Sequence, residues 1–271
     1  VTISQLEGLR NALQPKTRKA MSIAIGSGKG GVGKSSFALS LSAYWSKAGE
    51  SVLLLDVDPG LADLNIFLGI NPDTHWGHFV QGDRSFAEVT LKQVLPGMDF
   101  IHGFSGISLA NAGWMQGEAA HKLMDEVAVQ KASYDFSVLD VGAGLSEPNL
   151  VFLTEVDFVV LVISPELTSL ADAYGTLKTV LLRKNTQRIG IVVNQAETVE
   201  QARMVYLNLV KIAAQFLGVK LPLLGWLPRD PQVPRSLARQ KPLVLESPDA
   251  PYSQAVSNVA KSIETLLKME E

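Results

Sequence analysis

Gly28-Lys29-Gly30-Gly31-Val32-Gly33-Lys34-Ser35 decides how the rest of this chain is read. The octapeptide meets the pattern G-x-x-x-x-G-K-S/T in full. It stands between an apolar strand candidate, Met21 to Ile25, and a helix candidate from about Lys34 to Ala48. A strand, a glycine-rich turn and a helix in that order are the context the pattern requires. The glycines let successive backbone N–H groups turn inward around phosphate oxygens. The helix adds its free N-terminal donors and the positive end of its dipole. Lys34 is therefore expected on the β- and γ-phosphates, the Ser35 hydroxyl on Mg²⁺ and Ser36 on the α-phosphate. The run Gly28, Lys29, Gly30, Gly31, Val32, Gly33, Lys34, Ser35 and Ser36 reads as one MgATP site. A bare glycine turn before a helix does not account for the full match in that context.

Moving outward, Lys29 is a second lysine inside the loop. It repels Lys34 unless phosphate oxygens lie between them, and it suits stabilisation of charge on a transferred phosphoryl group. It acts either on its own nucleotide or across a dimer interface. Val52 to Leu55 is a second strand candidate, followed by Asp56-Val57-Asp58-Pro59-Gly60. Carboxyl ends of parallel strands point toward the ligand crevice, and strand alternation predicts Asp56 and Asp58 on one side. One would orient Mg²⁺-bound water and the other, Asp58, the attacking water. Phe136 to Leu139 leads to Asp140, the position from which such a fold supplies its Walker B carboxylate. Gly142 and Gly144 follow in a loop able to approach the γ-phosphate. Metal ligands are thus expected at Ser35, Asp56 and Asp140, and catalytic side chains at Lys29, Lys34 and Asp58. The Asn194 amide suits a donor and an acceptor on adenine, with Pro228, Arg229 and Asp230 as the other wall of the base pocket.

The surrounding sequence sets the fold class. Further apolar strand candidates are Asp99 to His102, Phe158 to Val162, Ile189 to Val193 and Leu223 to Leu227, with helical segments at 118–130, 170–183 and 197–216. Continuous apolar strands separated by helices predict an α/β fold, a mostly parallel sheet flanked by helices on both faces. Residues 3–15 can form an amphipathic helix with Leu6, Leu9 and Leu13 on one face, expected either to pack on the core or to serve as an interaction segment. Residues 1–20 are therefore set apart from one domain spanning 21–271. The last helix, about Ser253 to Lys268, carries a stripe of Val256, Val259, Ala260, Ile263, Leu266 and Leu267. Packing on the sheet explains that stripe, and its few basic residues make membrane attachment the weaker reading.

The 271 residues are 46% apolar with a formal charge of −3, which indicates a large core and no general nucleic-acid surface. DNA is not expected as a partner. The absence of cysteine excludes disulfides, thiolate-bound zinc, iron–sulfur clusters and thiol catalysis within these residues. No signal-like or membrane-length apolar run is present, so a cytoplasmic protein is expected, with peripheral association at the inner membrane face as a weaker option. His75 and His78 have ligand-like spacing without a third ligand. Trp45 reads as core, Trp76, Trp114 and Trp226 as packing or surface, and Arg229, Arg235, Arg239 and Lys241 as solvated charge.

On these motifs the chain resembles the deviant-Walker-A ATPases of the ParA/MinD group through roughly residues 20 to 267. Lys29 fits the signature lysine, Lys34 the usual P-loop lysine, Asp56 and Asp58 the acidic motif, and Asp140 the Walker B position. The resemblance implies ATP and ADP with Mg²⁺ as ligands, hydrolysis of ATP, and an ATP-dependent homodimer in which the signature lysine reaches the partner's nucleotide.

Several stretches are most similar to the flagellar FlhG (FleN, YlxH) branch. They are Asp58-Pro59-Gly60-Leu61-Ala62, Gly103-Phe104-Ser105-Gly106, Asp140-Val141-Gly142-Ala143-Gly144, Asp172-Ala173-Tyr174 and Leu227 through Val233. Ser4-Gln5-Leu6-Glu7-Gly8-Leu9-Arg10 resembles that branch's Asp-Gln-Ala-x-x-Leu-Arg segment, with Gln5, Leu9 and Arg10 matched. This implies an FlhF-type GTPase bound through residues 1–20, and flagellar regulators or basal-body proteins as further partners. Val141 replaces a common threonine, and Asp63 and Asn65 reverse the common Asn-x-Asp order. The competing expectations are a MinD-like septum-positioning ATPase, a ParA-like partition ATPase, and a nucleotide-dependent binding module with little hydrolysis.

Overall fold

Val52–Val57, Phe136–Val141 and Phe158–Ile163 are six-residue strands buried along their whole length. Strands apolar at every position are stable only when helices cover both faces of the sheet. The computed structural model describes residues 20–58, 63–103 and 117–268, apart from the Leu167 side chain. The amphipathic segment 3–15, the flagellar-type motif 4–10, residues 59–62, 104–106 and Trp114 lie outside them.

In chain order, β1 (Met21–Gly26) leads through α1 (Lys34–Lys47) to β2 (Val52–Val57). Three short helices follow, α2 (Leu64–Leu68), α3 (Trp76–Gln81) and α4 (Phe86–Val89), then the hairpin β3 (Thr90–Leu95) and β4 (Met98–Ile101). The remainder alternates: α5 (Glu118–Gln130), β5 (Phe136–Val141), α6 (Glu147–Glu155), β6 (Phe158–Ile163), α7 (Leu167–Arg183), β7 (Ile189–Ala196), α8 (Val199–Leu217) and β8 (Leu223–Pro228). Helices α9 (Gln232–Ala238), α10 (Leu243–Glu246) and α11 (Pro251–Lys268) complete the described chain.

The eight strands form one sheet in the order β3-β4-β2-β5-β1-β6-β7-β8. All its pairs are parallel except the edge pair β3–β4. The sequence pattern missed β3, because Lys92 and Gln93 interrupt its apolar run and leave it exposed in mid-strand. Six helices, α2 to α4, α6, α9 and α10, were also absent from the expected pattern. All but α6 and α9 are six residues or fewer, too short to establish a helical period.

Two apolar layers hold the sheet. On one face α1, α10 and α11 contribute Phe37, Leu41, Trp45, Val244, Val256 and Ile263. On the other, α5 to α8 contribute Leu123, Val151, Phe152, Leu177 and Leu209. Trp45 stacks on Phe136 with ring centroids 3.9 Å apart. Trp76 is a buried residue, its indole N–H donating to the Asp56 carbonyl at 3.1 Å. The expected stripe of α11 faces inward through Val256, Val259, Ala260, Ile263 and Leu267. Among the described residues no helix is long and apolar enough to cross a membrane.

Asp157 ties the base of the sheet together. It accepts from the Ser22 backbone N–H and hydroxyl, both at 2.7 Å, and from the Lys131 ammonium. Burial by itself would raise its carboxyl, but these donors outweigh it and hold the group below the ordinary carboxylate range. With a depressed native pKa, the unfolded chain takes up the proton first as pH falls. The stabilisation is therefore complete above about pH 5 and is lost as pH falls through the lowered native value. Urea denaturation of Asp157→Asn at several pH values should show a protein less stable than wild type at pH 7, with the difference shrinking toward pH 3.

Candidate active site

The phosphate loop is shaped by two close backbone approaches. Gly33, at the start of α1, sits at φ 86°, in the left-handed region. A Cβ there would lie 2.4 Å from the Asn194 amide nitrogen. At Gly28, a Cβ would lie 2.2 Å from the Asp172 carbonyl carbon and 2.5 Å from the Ala173 nitrogen, both backbone of α7. Gly30 and Gly31 have open space around them. The loop is thus clamped at its flanks and open at its crest, where phosphate oxygens would meet backbone N–H groups.

The end of β7 pins the same loop. Asn194 Nδ2 donates to the Val32 carbonyl at 2.7 Å, and its Oδ1 accepts from the Gln195 N–H at 2.9 Å. Gln195, held at φ 61°, donates to the Gly31 carbonyl at 3.2 Å. Asn194 lines the cleft as expected; its amide nitrogen already serves the loop and its oxygen the neighbouring Gln195 N–H, which leaves one N–H and one lone pair for a base. Gln195 was missed in the sequence, since nothing in a lone glutamine after a strand signals a left-handed turn.

The cleft has a volume of about 1090 Å³. Gly30, Gly31, Gly33, Lys34, Ser35 and Ser36 form its phosphate end; Pro228, Arg229 and Asp230 form the opposite wall with Asn194. Asp58 and Asp63 enter between them. Gly28 and Val32 support the loop from behind. Lys29 points elsewhere: its ammonium pairs with Glu166 and donates to the Thr168 hydroxyl at 2.9 Å. Both residues belong to the segment that opens α7, and neither was singled out in the sequence.

The expected acidic pair separates. β2 ends at Val57, so strand alternation does not extend through Asp58. Asp58 faces the cleft, whereas Asp56 is fully buried and accepts from the backbone N–H groups of Asp58 at 3.2 Å and Leu64 at 3.3 Å. Asp56 thereby fastens the two ends of the segment that follows β2. Its neighbour across the sheet is Asp140, in register on β5. Burial, and then the Asp140 charge, push the Asp56 carboxyl well above its usual range.

Asp140 is raised to about 6, by burial first; Lys34 and a hydrogen bond from Ser35 counter that rise, and Asp58 and Asp63 add to it. One of its carboxylate oxygens, Oδ1, is buried with no hydrogen-bond partner among the described residues. A buried carboxylate oxygen without a hydrogen-bond partner, beside a serine hydroxyl, supplies oxygen donors of the kind a hard divalent cation takes. These residues fit Mg²⁺, with Ser35 and Asp140 nearest the role and Asp56 one layer behind. Asn149 Nδ2 lies 3.1 Å from the Gly142 carbonyl and 3.3 Å from that of Ala143, tethering the loop after Asp140 to α6. His75 and His78 stack with centroids 3.8 Å apart.

The sequence model described as ParA: NUBPL iron-transfer P-loop NTPase matches residues 18–264. The chain belongs to the ParA/MinD family of P-loop NTPases. The flagellum site-determining protein YlxH of Helicobacter pylori is 30% identical, covering 95% of this chain and 88% of its own. The antiactivator FleN of Pseudomonas aeruginosa is 28% identical, covering 90% and 86%. The structure of the septum site-determining protein MinD of Pyrococcus horikoshii, complexed with Mg-ADP, superposes with a TM-score of 0.75 at 23% identity, covering 93% and 99%. Relatives therefore span flagellar and septum-positioning branches of the family. As a member, the chain binds ATP and ADP with Mg²⁺ and hydrolyses ATP. It has no cysteine and so offers no thiolate to an iron–sulfur cluster.

The clamp at Gly28 yields a direct contrast. Gly28→Ala should lower stability by about 1–3 kcal/mol, as overpacking against fixed backbone does, and weaken ADP binding. Gly30→Ala, with open space at its Cβ, should leave the thermal midpoint of the nucleotide-free protein nearly unchanged. Differential scanning fluorimetry of both variants checks this.

Proposed function

We propose that this chain is a MgATP-driven, dimerising switch whose ATP-bound form recruits a partner that places another cellular structure. The observation that carries the reading is the position of Lys29, drawn out of its own cleft to Glu166 and Thr168. An ammonium held outside the cleft on the exposed side of the loop is suited to reach a nucleotide facing it on a second copy. Its charge pair with a largely exposed glutamate is weak in water, so anionic phosphate oxygens compete for it readily.

In this reading Lys34 and the loop N–H groups hold the β- and γ-phosphates, and Ser36 the α-phosphate. Bound Mg²⁺ would neutralise phosphate charge and polarise the transferred group. Asp58 orients water toward the γ-phosphorus, and Lys29 of the partner offsets charge on the bridging and terminal oxygens as the bond breaks. Asp140 and Ser35 hold the cation, while Asp56 keeps the Asp58 segment in position. Pro228, Arg229 and Asp230 flank the base.

Two finer placements share this chemistry. A MinD-type switch is supported by the likeness to solved MinD structures, one of which is a MinC:MinD complex from Aquifex aeolicus. A flagellar role is supported by the names of YlxH and FleN and by the motif at residues 4–10, with an FlhF-type GTPase or flagellar regulator as partner. Affinity capture with the full chain, loaded with ATP or ADP, should retain either a MinC-type or an FlhF-type bait in the ATP state. Capture of the FlhF-type bait that disappears on deleting residues 1–20 selects the flagellar placement.

The catalytic assignments are tested separately. Lys29→Ala and Asp58→Ala should each lower ATP turnover by about a hundredfold, the scale of removing one stabilising donor from a phosphoryl-transfer site. In sedimentation velocity the wild-type chain should dimerise with ATP and not with ADP, and Lys29→Ala should stay monomeric in both. Glu166→Ala should still dimerise with ATP. Wild-type turnover in both catalytic variants would refute the assignments.

A further inference from the structure

The loop that follows Asp140 converges on one side chain. Asn149, in the first turn of α6, is a buried residue, and the helix that carries it is fixed in the core by Leu150, Val151 and Phe152. Its Nδ2 lies 3.1 Å from the Gly142 carbonyl, 3.3 Å from that of Ala143 and 3.4 Å from that of Gly144. Two N–H groups are thus shared among three consecutive carbonyls. Its Oδ1 is buried with no hydrogen-bond partner among the described residues. Leaving a buried acceptor unpaired is unfavourable, so the packing of α6 alone does not account for an amide at this position.

A trans peptide directs each carbonyl opposite to the N–H of the next residue, and among the described residues no peptide bond is cis. With the carbonyls of Gly142, Ala143 and Gly144 turned to Asn149, the N–H groups of Ala143, Gly144 and Leu145 turn away from it. None of the three donates to another described residue. Gly144, at φ 96°, supplies the left-handed step by which successive N–H groups draw into a concave anion nest. Ala143 lines the cleft together with Lys34, Ser35 and Asp58, the side chains that stand at the terminal phosphates in the MgATP reading. Val141, before the loop, has no hydroxyl to give, so backbone donors carry that side of the cleft.

We propose that Asn149 is a positioning residue for ATP: by gathering three carbonyls it presents the loop N–H groups to the γ-phosphate, and so strengthens binding of ATP and not of ADP. This rests on the MgATP reading of the cleft. The ligand of the nest is the terminal phosphoryl group, which ADP lacks. Without the amide, Gly142 and Gly144 regain the freedom of an untethered glycine loop, and the cost of ordering it then opposes γ-phosphate binding.

Asn149→Ala removes the amide, and Asn149→Ser is a second variant whose short side chain cannot reach three carbonyls. Calorimetric titrations with ADP and with the non-hydrolysable analogue AMPPNP, both with Mg²⁺, compare them with wild type. Affinity for ADP should stay within about twofold, whereas affinity for AMPPNP should fall about five- to tenfold, the scale of neutral hydrogen bonds. The same selective loss should appear in the Lys29→Ala background, in which no second copy contributes to binding. Gly144→Ala has open space at its Cβ but a strained left-handed backbone, and it should repeat the pattern from the loop side. A purely structural asparagine would weaken both nucleotides in parallel as the thermal midpoint falls. Parallel losses in the Asn149 variants, or unchanged AMPPNP affinity in them or in Gly144→Ala, overturn the assignment. A wild-type chain that binds neither nucleotide overturns the MgATP reading instead.

Discussion

The fold depends at its centre on how closely a glycine backbone approaches two other chain segments. Gly28 meets the backbone of α7, and Gly33 meets the Asn194 amide at the end of β7. Side chains at either position would push the loop away from the sheet. With them absent, Asn194 and Gln195 bond two loop carbonyls and the loop's N–H groups are left for the cleft. Preorganised donors of this kind need no rearrangement when an anion arrives. The central position of β1, between β5 and β6, brings the ends of β2, β5, β7 and β8 around one crevice, as expected where connections leave to opposite faces of a parallel sheet.

A second constraint is charge without water. Asp56 and Asp140 are side by side on adjacent strands and both are buried. The structure separates their roles by hydrogen bonding. Asp56 is consumed by backbone donors, while Asp140 keeps an oxygen unpaired next to Ser35 and Lys34. One carboxylate shapes the backbone after β2 and the other keeps an oxygen without a hydrogen bond at the cleft end of β5. Lys29 is handled similarly: a glutamate at the mouth of α7 holds the second loop lysine away from the first.

Much of this was legible in the sequence, for a physical reason. A phosphate loop must be continuous in the chain, so Gly28 to Ser36 could be read directly, and fully buried parallel strands appear as unbroken apolar runs. Contacts between distant segments leave no such trace. Nothing local in Glu166, Thr168 or Gln195 points to the loop, because each reaches it through the strand order. Asp56 and Asp58 were misplaced relative to each other because alternation holds only within a strand, and β2 stops between them. The loop carbonyl of Val32 takes one N–H of the Asn194 amide, a contact between distant segments that the sequence does not display. The edge strand β3 was missed because an exposed strand need not be apolar.

The central claim is that γ-phosphate draws Lys29 from Glu166 to a facing nucleotide. A crystal structure of the Asp58→Ala chain with MgATP tests it most directly. The account predicts two copies with their clefts opposed and each Lys29 on the other copy's phosphates. A single copy holding MgATP with Lys29 still on Glu166 would contradict it.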